Sequence, residues 1–402
     1  MTGGIQLFKK TILGMLLFMI FIMPSRLWGE IRPLEEGWMW QIFVYPPSEG
    51  WESDEGDSIR AALEMVAQEV NERHYGTQNH DIRFVYEPPM LREDLYPLGK
   101  SRVEEWKREK ALVGALSFAP DSHNLELLRI YQETQLPLIL AYGEEISLRQ
   151  EYGPPLQYIF ALDLYSRFRV AAFGHIAPGF MSPGTAMAVF SDRLDPVLRR
   201  SGTFLAELLS REEFVPMPLW SAGAMDRDVH PSLVEAEHAG ASVLVNVMGL
   251  MEALDLWRTL KEMGRPFTFW HAGALDPMLE VRSGIFAVSQ KWRISYDPTL
   301  RELRSKIWFA LHERPRDMPL MARAYALGTW FVRGLDNTEK ASGPFLADSL
   351  AKAKGIPFGE ETLSINPLTH RPLGRMVTLL QSTGSGWKFI KEFRLRSAAF
   401  PE

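Results

Sequence analysis

Residues 111–145, ALVGALSFAPDSHNLELLRIYQETQLPLILAYGEE, restrict the fold more than any other stretch of the chain. Two short apolar runs, 111–116 and 136–141, enclose a helical pattern in which Leu125, Leu128 and Tyr131 recur on one side. Apolar runs of that length joined by an amphipathic helix form a βαβ unit, because parallel strands need such a crossover. Ser117, Pro120, Asp121 and Ser122 supply the helix start. Their oxygens accept from N–H groups without an intrahelical partner, and a proline in a first turn forfeits no bond. The turns after the two strands then lie along one sheet edge, beside a helix N-terminus whose N–H groups suit an oxygen-rich ligand. Residues 117–119 and 142–145 are expected to share that crevice.

The pattern extends in both directions. Before this unit, strands are predicted at 38–45 and 82–86, with helices from about residue 57 to 71 and at 101–110. It restarts after Pro154 and Pro155, with strands at 186–190, 214–218, 242–247 and 266–270. Helices at 194–209 and 231–239 alternate with them, followed by one carrying Leu250, Ala253, Leu254, Trp257 and Leu260 on a single face. Repeated βα units indicate an α/β protein with doubly wound parallel sheets, and 402 residues suffice for two or three domains. The last third is less regular. It reads as a strand at 285–289, helices at 318–335 and 345–353, then a strand at 361–365, a polar turn at 366–372 and a strand at 375–381. Residues beyond Trp387 are expected to be peripheral.

Composition excludes several chemistries. A net charge of −6 without a long Lys/Arg cluster argues against nucleic acid or an anionic membrane as partner. With no cysteine there is no disulfide, thiolate metal site, cysteine nucleophile or lipidated cysteine. Lys9 and Lys10, the apolar run 11–23 and the small residue Gly29 have the layout of a secretory signal peptide over residues 1–29. The run is shorter than the ~20 residues that span a bilayer, so export to the periplasm is expected. No strand leads into a phosphate-cradling glycine loop, and PLWSAG around Ser221 lacks the first glycine of a nucleophile elbow. His230, Glu235, Glu237 and His238 do not repeat at a metal-binding spacing. No catalytic residue, metal or cofactor is assigned.

Four stretches taken in order carry a resemblance. They are WQIFVYPPSEG with GDSIRAALEMVAQEVNE, the 111–145 unit, ASVLVNVMGLMEALDLWRTLKEMG, and the late pair AYALGTWFVRGLD and INPLTHRPLGRMVTLLQ. Together they resemble the type I periplasmic solute-binding proteins, in the branched-chain amino-acid-binding branch that serves ABC transporters. The resemblance implies two lobes, each a doubly wound parallel sheet flanked by helices, with hinge crossings near 159–163, 287–291 and 366–372. Residues 30–159 with 289–366 would form the N-terminal lobe, and 160–288 with 367–402 the C-terminal lobe. It further implies a monomeric, non-enzymatic protein that captures a small polar or amphipathic solute, amino-acid-like, an amide or related, by hinge closure and presents it to an inner-membrane ABC permease. A ligand-sensing component of a signalling system and an exported α/β hydrolase remain as alternatives.

The expected ligand-binding residues are Trp51, Ser117, Phe118, Ala119, Tyr142, Gly143, Glu144, Asn246, Met248, Trp270 and His271. Ser117 matches the start of the family's small-polar turn, but Phe118, Ala119 and Pro120 replace its further hydroxyls. Glu144 and Glu145 stand where relatives place a small residue and a threonine, and Asp195 and Pro196 where they place an aromatic one. Ala272 falls where amino-acid binders carry the acid that pairs with the ligand's ammonium. These departures point away from an α-amino acid. Ser117 reads equally as a helix cap, and Trp51 and Trp270 read equally as packing residues.

Overall fold

The computed structural model describes residues 39–73, 80–142, 156–162, 166–192, 196–221, 229–265, 267–272, 277–289, 297–341, 343–368, 370–373 and 375–395. The expected signal peptide lies outside them. Among the described residues no helix is long and apolar enough to cross a membrane.

The first sheet is built from β1 (Met39–Tyr45), β2 (Asp81–Tyr86), β3 (Leu112–Ser117), β4 (Leu138–Leu140) and β5 (Ile159–Ala161), in the order β2-β1-β3-β4-β5. β1, β3, β4 and β5 pair in parallel. Helices α1 (Asp54–Asn71), α2 (Arg92–Glu109) and α3 (Asp121–Thr134) make the crossovers. Both faces of this sheet are apolar, because each meets its own core. Ile42, Val44, Leu116 and Ile139 enter one, and Phe43, Tyr45, Ala115, Leu138 and Leu140 enter the other. Gly114 sits where they converge: a Cβ there would lie 2.6 Å from the Pro137 carbonyl oxygen and 2.7 Å from the Phe331 ring.

A second block follows: α4 (Ser166–Ile176), β6 (Ala186–Asp192), α5 (Pro196–Arg211), β7 (Val215–Ser221), α6 (His230–His238), β8 (Val243–Asn246), α7 (Leu250–Met263), β9 (Thr268–His271), α8 (Pro277–Glu280) and β10 (Ile285–Ser289). Its strands pair in parallel within a seven-stranded sheet, and the two antiparallel strands at its edge come from the end of the chain. Val189, Val245, Trp270 and Val288 fill the core on one face, and Ala188, Phe190, Leu244, Phe269 and Ile285 the core on the other.

The remaining elements are α9 (Pro298–Leu311), α10 (Met318–Asn337), α11 (Gly343–Ala351), β11 (Lys354–Phe358), β12 (Glu361–Asn366), β13 (Arg371–Pro372), β14 (Arg375–Ser382) and β15 (Trp387–Leu395). α10 lies along α1 and joins the core of the first sheet through Met321, Leu327, Trp330 and Phe331. β11, β12 and β13 form a small antiparallel sheet beside it.

Several expectations change here. α1 starts at Asp54, since the Ser53 side chain accepts from Gly56 N at 3.0 Å. α2 starts at Arg92 and passes through Pro97, ahead of the expected residue 101. α9 and β11 were not anticipated. The strands expected at 361–365 and 375–381 belong to different sheets: β12 pairs with β11 and β13, β14 with β10 and β15. The stretch after Trp387, expected to be peripheral, is an edge strand hydrogen-bonded along β14.

β5 ends at Ala161, and α4 packs against α5. α9, which follows β10, packs against α1. His370, just before β13, is fastened to β5. Its Nδ1 lies 3.1 Å from the Ile159 carbonyl oxygen, its ring stacks on Phe160 at 4.4 Å, and its carbonyl accepts from Ala161 N at 3.3 Å.

Candidate ligand-binding site

Where β3 ends, Ser117 is fully buried and its hydroxyl is used internally. It donates to Asn124 Oδ1 at 2.7 Å and accepts from Ala119 N at 3.2 Å. The amide of Asn124, on α3, donates to the Ala119 carbonyl at 3.0 Å and the Tyr142 carbonyl at 3.4 Å. Ser117 is thus neither the N-cap of α3 nor an outward-facing hydroxyl; it braces the turn against the end of the next strand. The N-cap position is Pro120, which makes no side-chain cap bond. Residues 117–119 and Tyr142 do meet, through Asn124.

Behind Tyr142 sits Arg323, a buried guanidinium on α10. Its Nη1 donates to the Ala141 carbonyl at 2.8 Å, and its charge lies 4.8 Å from the Tyr142 ring centre. An arginine over an aromatic face gains a cation–π attraction that strengthens when water is excluded. A positive charge therefore lies just beneath the carboxyl end of β4.

The second sheet repeats the device. Asn246 ends β8 and His271 ends β9, with Asn246 Nδ2 3.1 Å from His271 Nδ1. Asn246 Oδ1 accepts from Met248 N at 3.0 Å, which fixes the orientation of the amide. Nδ2 is then the donor, so the neutral imidazole accepts on Nδ1 and keeps its proton on Nε2. The following helix, α7, opens at Gly249, again without a side-chain cap bond.

The other expected residues are placed differently. Trp51 is buried, donates from Nε1 to the Glu87 carbonyl at 2.6 Å and meets Tyr86 edge-on at 5.1 Å. Phe118, Met248 and Trp270 are enclosed in the cores. Trp270 stacks on Phe286 at 5.5 Å and meets Phe173 at 5.1 Å, its strand neighbours Phe269 and His271 pointing to the opposite face. Gly143 and Glu144 lie outside the described residues. Asn124 and Arg323 were missed, although Arg323 interrupts an otherwise apolar helical stripe, which is a readable signal.

An exported hydrolase would need Ser221 within reach of His230 or His271 and an acid. β7, which ends in Ser221, is separated from β9, which ends in His271, by β6 and β8. Three interstrand spacings amount to roughly 14 Å, well beyond the reach of a hydrogen bond. Among the described residues no group of three or more His, Asp or Glu side chains is arranged to hold a metal ion.

Two mainly parallel sheets flanked by helices, one of five strands and one of seven, match the two-lobed type I periplasmic binding protein fold. Solved structures with this fold include a putative branched-chain amino acid ABC transporter from Rhodospirillum rubrum, at 13% identity and TM-score 0.68, matching 88% of this chain and 100% of that one. An ABC-type branched-chain amino acid transporter from Rhodopseudomonas palustris matches at 12% identity and TM-score 0.69, over 90% and 98% of the two chains. An ABC transporter substrate-binding protein from Desulfitobacterium hafniense, solved in complex with Leu, matches at 12% identity and TM-score 0.66, over 88% and 100%. No family model and no curated relative matches the chain.

Proposed function

We propose that this chain is the exported solute-binding component of an ABC transporter. It would take a small polar or amphipathic molecule between its lobes and deliver it to an inner-membrane permease as a monomer. Residues 1–29 would direct export to the periplasm. Residues 30–159 with 289–366, and 160–288 with 367–402, would be the lobes. The supporting observation is the matched pair of sheet edges. Each has a turn braced by an asparagine, Asn124 or Asn246, beside a helix start without a side-chain cap bond. Backbone N–H groups at the starts of α3 and α7, with Tyr142, His271 and the charge of Arg323 close by, would receive the polar end of the ligand. Closure removes such a ligand from water on all sides, and contacts to both lobes drive it.

Thermal unfolding against a panel of amino acids, amides, polyols and aromatic acids tests this. A bound ligand at a hundredfold its Kd stabilises the protein by about 2.7 kcal/mol. If no compound shifts the transition and native mass spectrometry finds nothing co-purifying, the proposal fails.

A further inference from the structure

Helix α9 carries a face that the fold leaves uncovered. Its inner side is closed, with Ile307 and Leu300 buried, whereas Trp308 is 46% exposed and Phe309 78% exposed. Beside these rings Arg301, Arg304, Ser305 and Arg314 line a cavity of about 440 Å³. Arg301, Arg304, Ser305 and Trp308 follow one another at helical spacing, so a single stripe presents them. A larger cavity of about 870 Å³ shares Arg304, Trp308 and Arg314 and runs toward the start of α1.

The arginines at the two ends differ in their pairing. Toward α1, Arg60 and Arg316 have carboxylates, Asp57 at 3.0 Å and Asp54 at 2.9 Å. Among the described residues, no ion pair engages Arg301, Arg304 or Arg314. Among the described residues, Arg304 Nε is buried and has no hydrogen-bond partner. The lining of the smaller cavity is thus three guanidinium groups, a hydroxyl and two aromatic rings, with no carboxylate among them. The guanidinium groups that line the cavity have no carboxylate beside them there, and an anionic oxygen supplies the charged partner they lack.

We propose that this pocket binds a small aromatic carboxylate, independently of the strand-end residues and of the transport reading. A guanidinium fork matches a carboxylate with two parallel hydrogen bonds, and an exposed indole offers a flat ligand a stacking surface. The cavity falls within the ~300–1,000 Å³ of small-molecule sites. An inorganic anion would leave both rings unused, and a neutral aromatic compound would leave the guanidinium groups uncompensated.

Isothermal titration of the purified protein with phthalate, benzoate, sulfate and hexaglutamate tests the assignment. Phthalate is expected to bind, benzoate more weakly and sulfate undetectably. Arg304→Gln and Arg314→Gln should each weaken phthalate about tenfold or more, the effect of losing a charged hydrogen bond. Trp308→Ala should weaken it too, and His271→Ala should leave it unchanged. Arg301 and Arg314 are exposed, so Arg301→Gln and Arg314→Gln supply variants whose folding circular dichroism can verify. Absence of phthalate binding at millimolar concentration overturns the proposal, as does undiminished binding in Arg304→Gln and Arg314→Gln. Hexaglutamate binding more tightly than phthalate would also overturn it, assigning the face to an acidic protein segment.

Discussion

Asp297 carries more of the chain's return to the first sheet than its single carboxylate suggests. Buried at the start of α9, its Oδ1 accepts from Thr299 N at 2.8 Å and Leu300 N at 3.3 Å, and its Oδ2 from Glu360 N at 2.8 Å. One side chain thus caps a helix and ties it to the β11–β12 turn. Replacement by alanine removes a cap worth about 1 kcal/mol and a charge-assisted bond worth about 1.5–3 kcal/mol. Asp297→Ala should therefore lower unfolding stability by about 3 kcal/mol, read as a reduced urea midpoint with an unchanged slope. Gly359 supplies an internal control. It has φ +63°, and a Cβ there would lie 2.1 Å from Asp297 Oδ2. In the parent, Gly359→Ala meets both that clash and the left-handed backbone penalty. In the Asp297→Ala background only the backbone penalty of ~1–2 kcal/mol should remain. A loss below about 1 kcal/mol for Asp297→Ala, or additive effects of the two changes, would refute the account.

Three further outcomes are expected. Burial holds the His370 imidazole below its ordinary pKa, so its neutral form contributes stability above the usual ~6.5 that is lost as pH falls toward the lowered value. His370→Asn, which keeps a residue suited to φ +55°, should flatten the stability profile measured by urea denaturation between pH 7.5 and 5. Trp270→Ala should cost about 3–5 kcal/mol of stability as a core deletion, and a ligand-affinity loss at full stability would contradict its placement. Asn124→Ala should destabilise by about 1–3 kcal/mol and loosen the turn, seen as faster amide exchange at Ala119; unchanged exchange would show that the brace is dispensable.

The parts of the fold that could be read from residues were those whose apolar period is clean. In 111–142 the strands, the helix stripe and the turn after β3 are found in the structure, because β3 and β4 are buried on both faces and α3 on one; residues 143–145 lie outside the described residues. The same two-sided burial hid the role of Trp270. A strand apolar on both faces gives no sign of which core each side chain enters, so a strand-end aromatic looks available when it is enclosed. α9 was missed because Trp308 and Phe309 face outward and blur its stripe, and β11 because Gly355 and Pro357 interrupt five residues. Nothing in the sequence around Asn124, a polar residue in the first turn of a helix, sets it apart. Its bonds to Ala119 and Tyr142 depend on a sheet edge that only the assembled parallel strands create.

The pairing of β10 with β14 also bears on how the chain acquires its shape. Ser289 lies opposite Thr378, and everything from α9 to β13 is made between them. At about 5–20 residues per second, a ribosome needs on the order of ten seconds to bridge that interval. A chain that folded its second block within that interval would present β10 as the open margin of an unfinished sheet, a ready template for strands of other chains. Holding the chain unfolded until its final hairpin is available, as export before folding does, avoids that exposure.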